Sequence, residues 1–301
     1  MKVSHLVLLL LLNCGWAAVP AFATRLQGHL GPIEFVFLRY SFALVALLVI
    51  WPWLPGRIPR GADFWRTCAM GVALFTIGHL SQIAGIQRSL ACDSSILLTL
   101  DPLVSTLAAA WFLHEKIPRR QWAGFGLAMA GVAVMSVWNR SSPLPGLFAN
   151  FLIVLSFVAE AVWSVVGKPL VARWGIPKVS ALALAAGSLS NGILLFAWPS
   201  ADPGALARLS STDMWLIGIL GVVFTAFGYT LWFVVIREAP VSVASLTIFL
   251  QPVLGTVISV LWTGEHLHAG HVAGSCAIVA GLVLGLSRRR PRADPPMQSR
   301  K

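Results

Sequence analysis

Ten stretches of this chain carry almost no charge, at about 3–23, 33–53, 66–86, 93–113, 121–138, 148–167, 178–198, 214–236, 241–263 and 270–287. Each is close to the ~20 residues that an α-helix needs to cross a hydrocarbon core of about 30 Å. No other feature narrows the fold so far. In lipid, every backbone polar group must be satisfied within a helix or a closed barrel. The period-two alternation of barrel strands does not occur, so the stretches predict an all-α integral membrane fold. Only 11% of the residues are charged and 57% are hydrophobic, where a soluble domain carries about 25% charged residues. Gly, Ala, Ser and Thr interleave with the large apolar residues, which lets membrane helices approach closely. Cys14, Cys68, Cys92 and Cys276 show no CxxC spacing, so neither a disulfide framework nor a zinc site is indicated.

The ten stretches fall into two halves related by an offset of 150. Pro102 falls on Pro252, Thr106 on Thr256, and Glu115 on Glu265. The offset also carries Gly78-His79 onto Gly228-Tyr229, Gly124 onto Gly274 and Gly131 onto Gly281. Residues 1–138 and 148–287 therefore read as two five-helix repeats, followed by a basic, Pro-rich tail at 288–301 that is expected to be disordered. Five spans is an odd number, so the second repeat enters from the opposite side. Two inverted five-helix repeats are a recurrent plan of secondary transporters, with the substrate near the midplane between the halves.

The first stretch also has the basic start, leucine run and small-x-small end of a signal peptide. Retention as a helix is the expectation, because Asn13-x-x-Trp16 is echoed by Glu160-x-x-Trp163 and its loss would leave nine helices. Placing both termini in the cytoplasm puts 17 of the 22 Lys and Arg residues inside and four outside, with Arg39 within a span. That asymmetry predicts a multi-pass bacterial-type inner-membrane protein, N-in and C-in. The net charge of +11 is thus assigned to topology and the lipid bilayer, with no nucleic-acid partner.

Polar groups inside spans are costly and are functional candidates by default. Counted from the expected helix ends, Asn13, His79, Glu160 and Gln251 lie near the bilayer centre, with Asp101 and Arg39 nearer one face. Asp101-Pro102 and Gln251-Pro252 are paired by the offset. Each proline lacks an N–H and frees the carbonyl one turn back, at Leu98 and Ile248, so a break is expected in spans 4 and 9. Asp101 and Gln251 read either as binding groups at a pliable site or as parts of a structural kink. Arg39 reads as a charge partner for Asp101 or Glu160, or as a bidentate clamp on a substrate carboxylate. Trp16 and Trp163 read as core packing or as a stacking wall for substrate. His79 and Tyr229 can each donate a hydrogen bond. His79 alone is as well explained by a satisfied buried histidine as by a proton carrier. His266, His268 and His271 match no established metal spacing and read as loop histidines, with no metal assigned.

Ten spans in two halves, the Asn13-x-x-Trp16 opening, Arg39 in the second span and the Pro…Glu ends of spans 4 and 9 resemble the EamA family of the drug/metabolite transporter superfamily. The resemblance covers about residues 3–287. It implies an inverted-repeat helical basket around a central cavity, and export of small metabolites such as amino acids or related compounds. Glu160 departs from the first repeat, which has Asn13 there, and places an ionisable group in one half only. The site residues carried forward are Asn13, Trp16, His79, Asp101, Glu160, Trp163, Tyr229 and Gln251 for substrate. Arg39, Pro102 and Pro252 are carried as structural or charge-pairing residues.

The leading expectation is a secondary exporter of a small molecule, without cofactor and with Glu160 as a candidate proton carrier. The rivals are an integral-membrane enzyme, and a small channel or assembly subunit. No GxxxxGK[ST] loop is present, which disfavours ATP-driven transport by this chain alone. HExxH and GxSxG are absent, which weakens a membrane protease or esterase.

Overall fold

A computed structural model describes residues 3–26, 29–88, 100–137, 147–263 and 269–287, and among these the chain is helical throughout with no strand. The tail at 288–301, the loop histidines His266 and His268, and the carbonyl of Leu98 lie outside the described residues. Helices α1 (Val3–Leu26) and α2 (Pro32–Ile50) are followed by α3 (Ala62–Val72), a π-helical turn at Ala73–Gly78 and α4 (His79–Arg88), which together form the third stretch. Then come α5 (Asp101–Phe112), α6 (Arg119–Val137), α7 (Leu147–Trp174) and α8 (Ile176–Ala197). The eighth stretch is α9 (Ser211–Ile219), a second π-helical turn at Leu220–Phe227 and α10 (Gly228–Glu238). The ninth is α11 (Val241–Leu246), a 3₁₀ turn at Thr247–Phe249 and α12 (Leu250–Thr263), and the tenth is α13 (Ala269–Leu286).

Every stretch marked in the sequence holds described helix. Seven described stretches are long and apolar enough on their own to cross a membrane, and a shorter apolar helix covers Ser4–Val19. Helix α6 begins with Arg119 and Arg120, which lower its hydropathy. Residues 93–99 of the fourth stretch lie outside the described part. The outer surface carries Leu11, Val49, Phe151 and Phe196 at 60% exposure or more. Isolated in water, such a surface would drive association; facing acyl chains, it is the ordinary exterior of a membrane bundle.

The repeat is visible in the packing of α6 against α13. A Cβ on Gly124 would stand 2.6 Å from the Gly281 carbonyl oxygen, and one on Gly131 would stand 2.6 Å from that of Gly274. Since Gly124 matches Gly274 and Gly131 matches Gly281, each contact is the image of the other. Only glycine lets two backbones approach so closely, and without a hydrophobic drive in lipid that approach supplies the dispersion energy that joins them.

The two π turns are also mates, lying at 73–78 and 220–227. A π turn sets a carbonyl free of its normal partner and is often found at functional sites. In both halves a side chain five residues on serves such a carbonyl: His79 Nδ1 lies 2.8 Å from the Leu74 oxygen, and Thr225 Oγ1 donates to the Leu220 oxygen at 2.9 Å. The 3₁₀ turn at Thr247–Phe249 stands directly before Gln251-Pro252, at the level where Pro252 withholds an N–H from Ile248. Pro102 stands in the first turn of α5, where a missing N–H costs nothing.

Candidate functional site

Glu160 sits near the middle of α7, about 20 Å from either end at 1.5 Å per residue. Its side chain is 24% exposed, whereas that of His79 is 5% exposed. Glu160 Oε1 lies 3.3 Å from the Tyr229 hydroxyl and 3.8 Å from His79 Nε2. The Tyr229 hydroxyl lies 2.9 Å from His79 Nε2. The symmetry mates His79 and Tyr229 therefore touch each other, across the two repeats, beside the Glu160 carboxyl group, which has no acidic counterpart in the first repeat.

The hydrogen bonds constrain where protons sit. The Leu74 oxygen can only accept, so His79 Nδ1 carries a proton. In a neutral imidazole, Nε2 is then the acceptor and Tyr229 donates to it. In an imidazolium, Nε2 carries a proton and faces Glu160. Tyr229 has a single hydroxyl proton to share between His79 and Glu160. The three groups thus form one hydrogen-bonded cluster built from both halves of the chain.

Aromatic side chains enclose the triad. Trp16 lies 5.3 Å from the Tyr229 ring, and Trp163 lies 5.7 Å from it. Trp163 stacks on Phe233 at 4.3 Å and meets Phe75 edge-on at 5.0 Å. Tyr40 lies 5.5 Å from His79. Trp16 and Trp163, matched in sequence, differ in what they do. Trp16 Nε1 donates to the Phe224 oxygen of the second π turn at 2.9 Å. The matching oxygen in the first π turn, Leu74, is taken by His79, and Trp163 Nε1 is buried with no hydrogen-bond partner. Ser180 Oγ is likewise buried without a partner. Trp163 and Ser180 both border one tightly packed gap with Phe75, Thr225 and Tyr229, closed to a water-sized sphere.

Of the expected site residues, Trp16, His79, Glu160, Trp163 and Tyr229 converge here. Asn13 and Gln251 form a second pair: Gln251 Nε2 donates to Asn13 Oδ1 at 3.0 Å, and Asn13 Nδ2 donates to Thr247 Oγ1 at 3.1 Å. Asn13 is fully buried, and the pair bridges α1 to the broken ninth span. Asp101 accepts from Ser105 Oγ at 3.3 Å and stays within Coulombic reach of Glu160.

Of the readings offered for Arg39, the structure shows a structural hydrogen bond in place of a direct charge pair. Arg39 forms no ion pair with Asp101 or Glu160; its Nε donates to Thr225 Oγ1 at 2.8 Å, inside the second π turn. Gly221 explains the geometry: a Cβ there would stand 2.3 Å from the Arg39 oxygen, so α2 lies directly against that turn. Arg39 still influences Glu160 at a distance.

Sequence reasoning missed Tyr40, Phe75 and Thr225 as neighbours of the site. The offset of 150 makes Phe75 and Thr225 mates in the two π turns, a signal that was available. It also missed the partner of Glu115. That carboxylate accepts from the Val241 and Ser242 backbone N–H groups at 2.9 and 3.1 Å, from Ser242 Oγ at 2.9 Å and from Lys168 Nζ at 3.0 Å. His114, at φ 53, turns the chain so that Glu115 can cap α11. Among the described residues no group of three His, Cys, Asp or Glu side chains could hold a metal ion.

Comparison with known proteins gives a consistent picture. The EamA-like transporter family matches residues 3–137 and again 147–287. A probable terminal-alkyne amino-acid exporter of Streptantibioticus cattleyicolor is 28% identical over 302 residues, covering 98% of this chain and 99% of its own. An uncharacterized transporter of Archaeoglobus fulgidus is 25% identical over 265 residues, covering 86% and 90%. The transporter YetK of Bacillus subtilis is 26% identical over 242 residues, covering 76% and 69%. A crystal structure with a TM-score of 0.76 covers 94% of this chain and 96% of that one at 17% identity, which bears on the fold alone.

Proposed function

Because the chain belongs to the EamA-like transporter family and is a multi-pass membrane transporter, we propose that it exports a small amino-acid-like metabolite, driven by a proton gradient through Glu160. The observation that carries the reading is the placement of Glu160: one partly open carboxylate, midway along its span, sharing one hydroxyl with His79. A carboxylate in that position suits a substrate ammonium group, and the same position suits a proton. Two loads that compete for one group cannot ride together, which is the requirement for exchange of proton against substrate.

The other end of a zwitterion needs donors. Trp163 Nε1 and Ser180 Oγ are buried donors without a partner and line one space beside Tyr229. A buried donor left unmade costs about 1–3 kcal/mol, so a carboxylate admitted when the helices around this closed gap move apart gains by meeting them. The surrounding rings favour an apolar side chain on the substrate. The named exporter from Streptantibioticus cattleyicolor handles an amino acid, in keeping with this class. We place the protein in the inner membrane with both termini in the cytoplasm, on the loop charges, with no cofactor and no enzymatic step.

The test is uptake of labelled amino acids into inside-out vesicles with and without an imposed pH gradient. Glu160→Gln keeps shape and hydrogen bonding and is expected to abolish gradient-driven accumulation at normal membrane levels. Accumulation by the Gln variant with unchanged pH dependence refutes the proton role.

A further inference from the structure

A second site, unrelated to the transport centre, lies at one membrane face. The loop between α2 and α3 and the α7–α8 junction meet there and enclose a cleft of about 310 Å³ lined by Arg57, Ile58, Arg60 and Trp174. The cleft is built, not incidental. Gly56 at φ +102 and Gly175 at φ +92 take left-handed conformations that side chains rarely adopt, and a Cβ on Gly56 would stand 2.8 Å from the Trp174 oxygen. Arg57 N–H donates to that same oxygen at 3.1 Å. Gly61, at φ +58, closes the far end of the loop before α3.

The charges in this corner are unevenly satisfied. Asp63 accepts from Arg173 at 2.8 Å, from Trp174 Nε1 at 2.8 Å and from Arg66 at 3.3 Å. Lys178 donates to the Trp51 oxygen at 3.0 Å and sits over the Trp51 ring at 3.7 Å. Arg57 and Arg60 show no carboxylate partner among the described residues. Two arginines thus line a cleft whose remaining lining is an exposed isoleucine and Trp174. Guanidinium forks match phosphate oxygens, and tryptophan at a span end sits at headgroup level. Ile58 is 46% exposed, as befits a wall against the glycerol and upper acyl chain.

We propose that this cleft binds the phosphodiester headgroup of an anionic phospholipid from the adjoining leaflet. A free phosphate shares the headgroup chemistry but gains nothing from Ile58 or from the position at a span end, so the lipid is the occupant to which the geometry points. A lipid held here would brace the α2–α3 loop against α7, the helix that carries Glu160.

The test is native mass spectrometry of the purified full chain in detergent, titrated with dioleoyl phosphatidylglycerol or dioleoyl phosphatidylcholine. Phosphatidylglycerol is expected to bind about tenfold more tightly. Arg57→Gln/Arg60→Gln should remove that preference, and Arg57→Lys/Arg60→Lys should keep part of it, because charge remains while the fork is lost. Arg119→Gln/Arg120→Gln removes as much charge elsewhere and should leave the preference intact. An equal loss in that control reduces the effect to general surface charge and overturns the site. Displacement of bound phosphatidylglycerol by inorganic phosphate at equal concentration assigns the cleft to a soluble anion and overturns the lipid assignment. Should the Gln pair fail to fold, loss of the preference in Arg60→Gln alone carries the test, and its undiminished persistence there refutes the proposal.

Discussion

Removing the Glu115 carboxylate should destabilise the protein by an amount that its contacts allow to be worked out. Glu115 ends the fourth span and caps the first turn of α11 through the Val241 and Ser242 N–H groups, while Lys168 reaches it from α7. Its side chain is 12% exposed and that of Lys168 is 25% exposed. Removing one partner of a buried ion pair costs about 3–5 kcal/mol. Lys168 retains its bond to the Ala239 oxygen at 3.1 Å and some access to water, which places Glu115→Ala near the lower end, about 3 kcal/mol. Glu115→Gln keeps an oxygen for one of the two N–H groups and should cost about 1–2 kcal/mol. With ~2–4 °C per kcal/mol for a large domain, the Ala variant should melt roughly 6–12 °C lower in detergent. Hydrogen exchange at Val241 and Ser242 should quicken in both variants.

The pH dependence of that difference has a definite sign. Burial opposes ionisation of Glu115, but the backbone bonds from Val241 and Ser242 and the Lys168 ammonium outweigh it and hold the carboxyl below its ordinary 4.5. A lowered folded value means that the unfolded state binds more protons around that pH. The stabilisation is therefore fully present above about 4.5 and drains away as pH falls through the lowered value. The gap in melting temperature between wild type and Glu115→Gln should be flat at neutral pH and close in acid. An unchanged melting temperature together with unchanged exchange at Val241 and Ser242 would falsify the capping role.

Other outcomes follow from the same contacts. Gly281→Val would put a Cβ 2.7 Å from the Gly124 oxygen and 2.8 Å from the Ala128 nitrogen; α6 and α13 must part, at a cost of about 1–3 kcal/mol or more, read as a lower melting temperature. Trp16→Phe strands the Phe224 oxygen of the second π turn and should cost about 1–3 kcal/mol, measured by the same melts; no change would mean that water reaches that oxygen. Tyr229→Phe removes the hydroxyl that joins His79 to Glu160; the pH profile of vesicle transport should shift while the protein inserts normally, and an unmoved profile would take Tyr229 out of the proton path.

Much of this protein was determined by its sequence alone, because the lipid solvent acts on single residues. A charge in mid-span is penalised wherever the helix lies, so the ten stretches and the exceptional status of Glu160 and His79 could be read directly. The offset of 150 paired Gly124 with Gly274 and His79 with Tyr229 before any contact was known. Partner choice was decided only by the tertiary structure. A side chain selects its partner from whatever groups lie within about 3 Å, and helix packing sets those. Arg39 bonds Thr225 in place of a carboxylate because Gly221 lets α2 close onto the second π turn. Lys168, too far along its own helix to serve Glu160, finds Glu115 across the bundle. The inequality of Trp16 and Trp163 is likewise invisible in the sequence. It arises because His79 occupies the one carbonyl that would make the two halves alike.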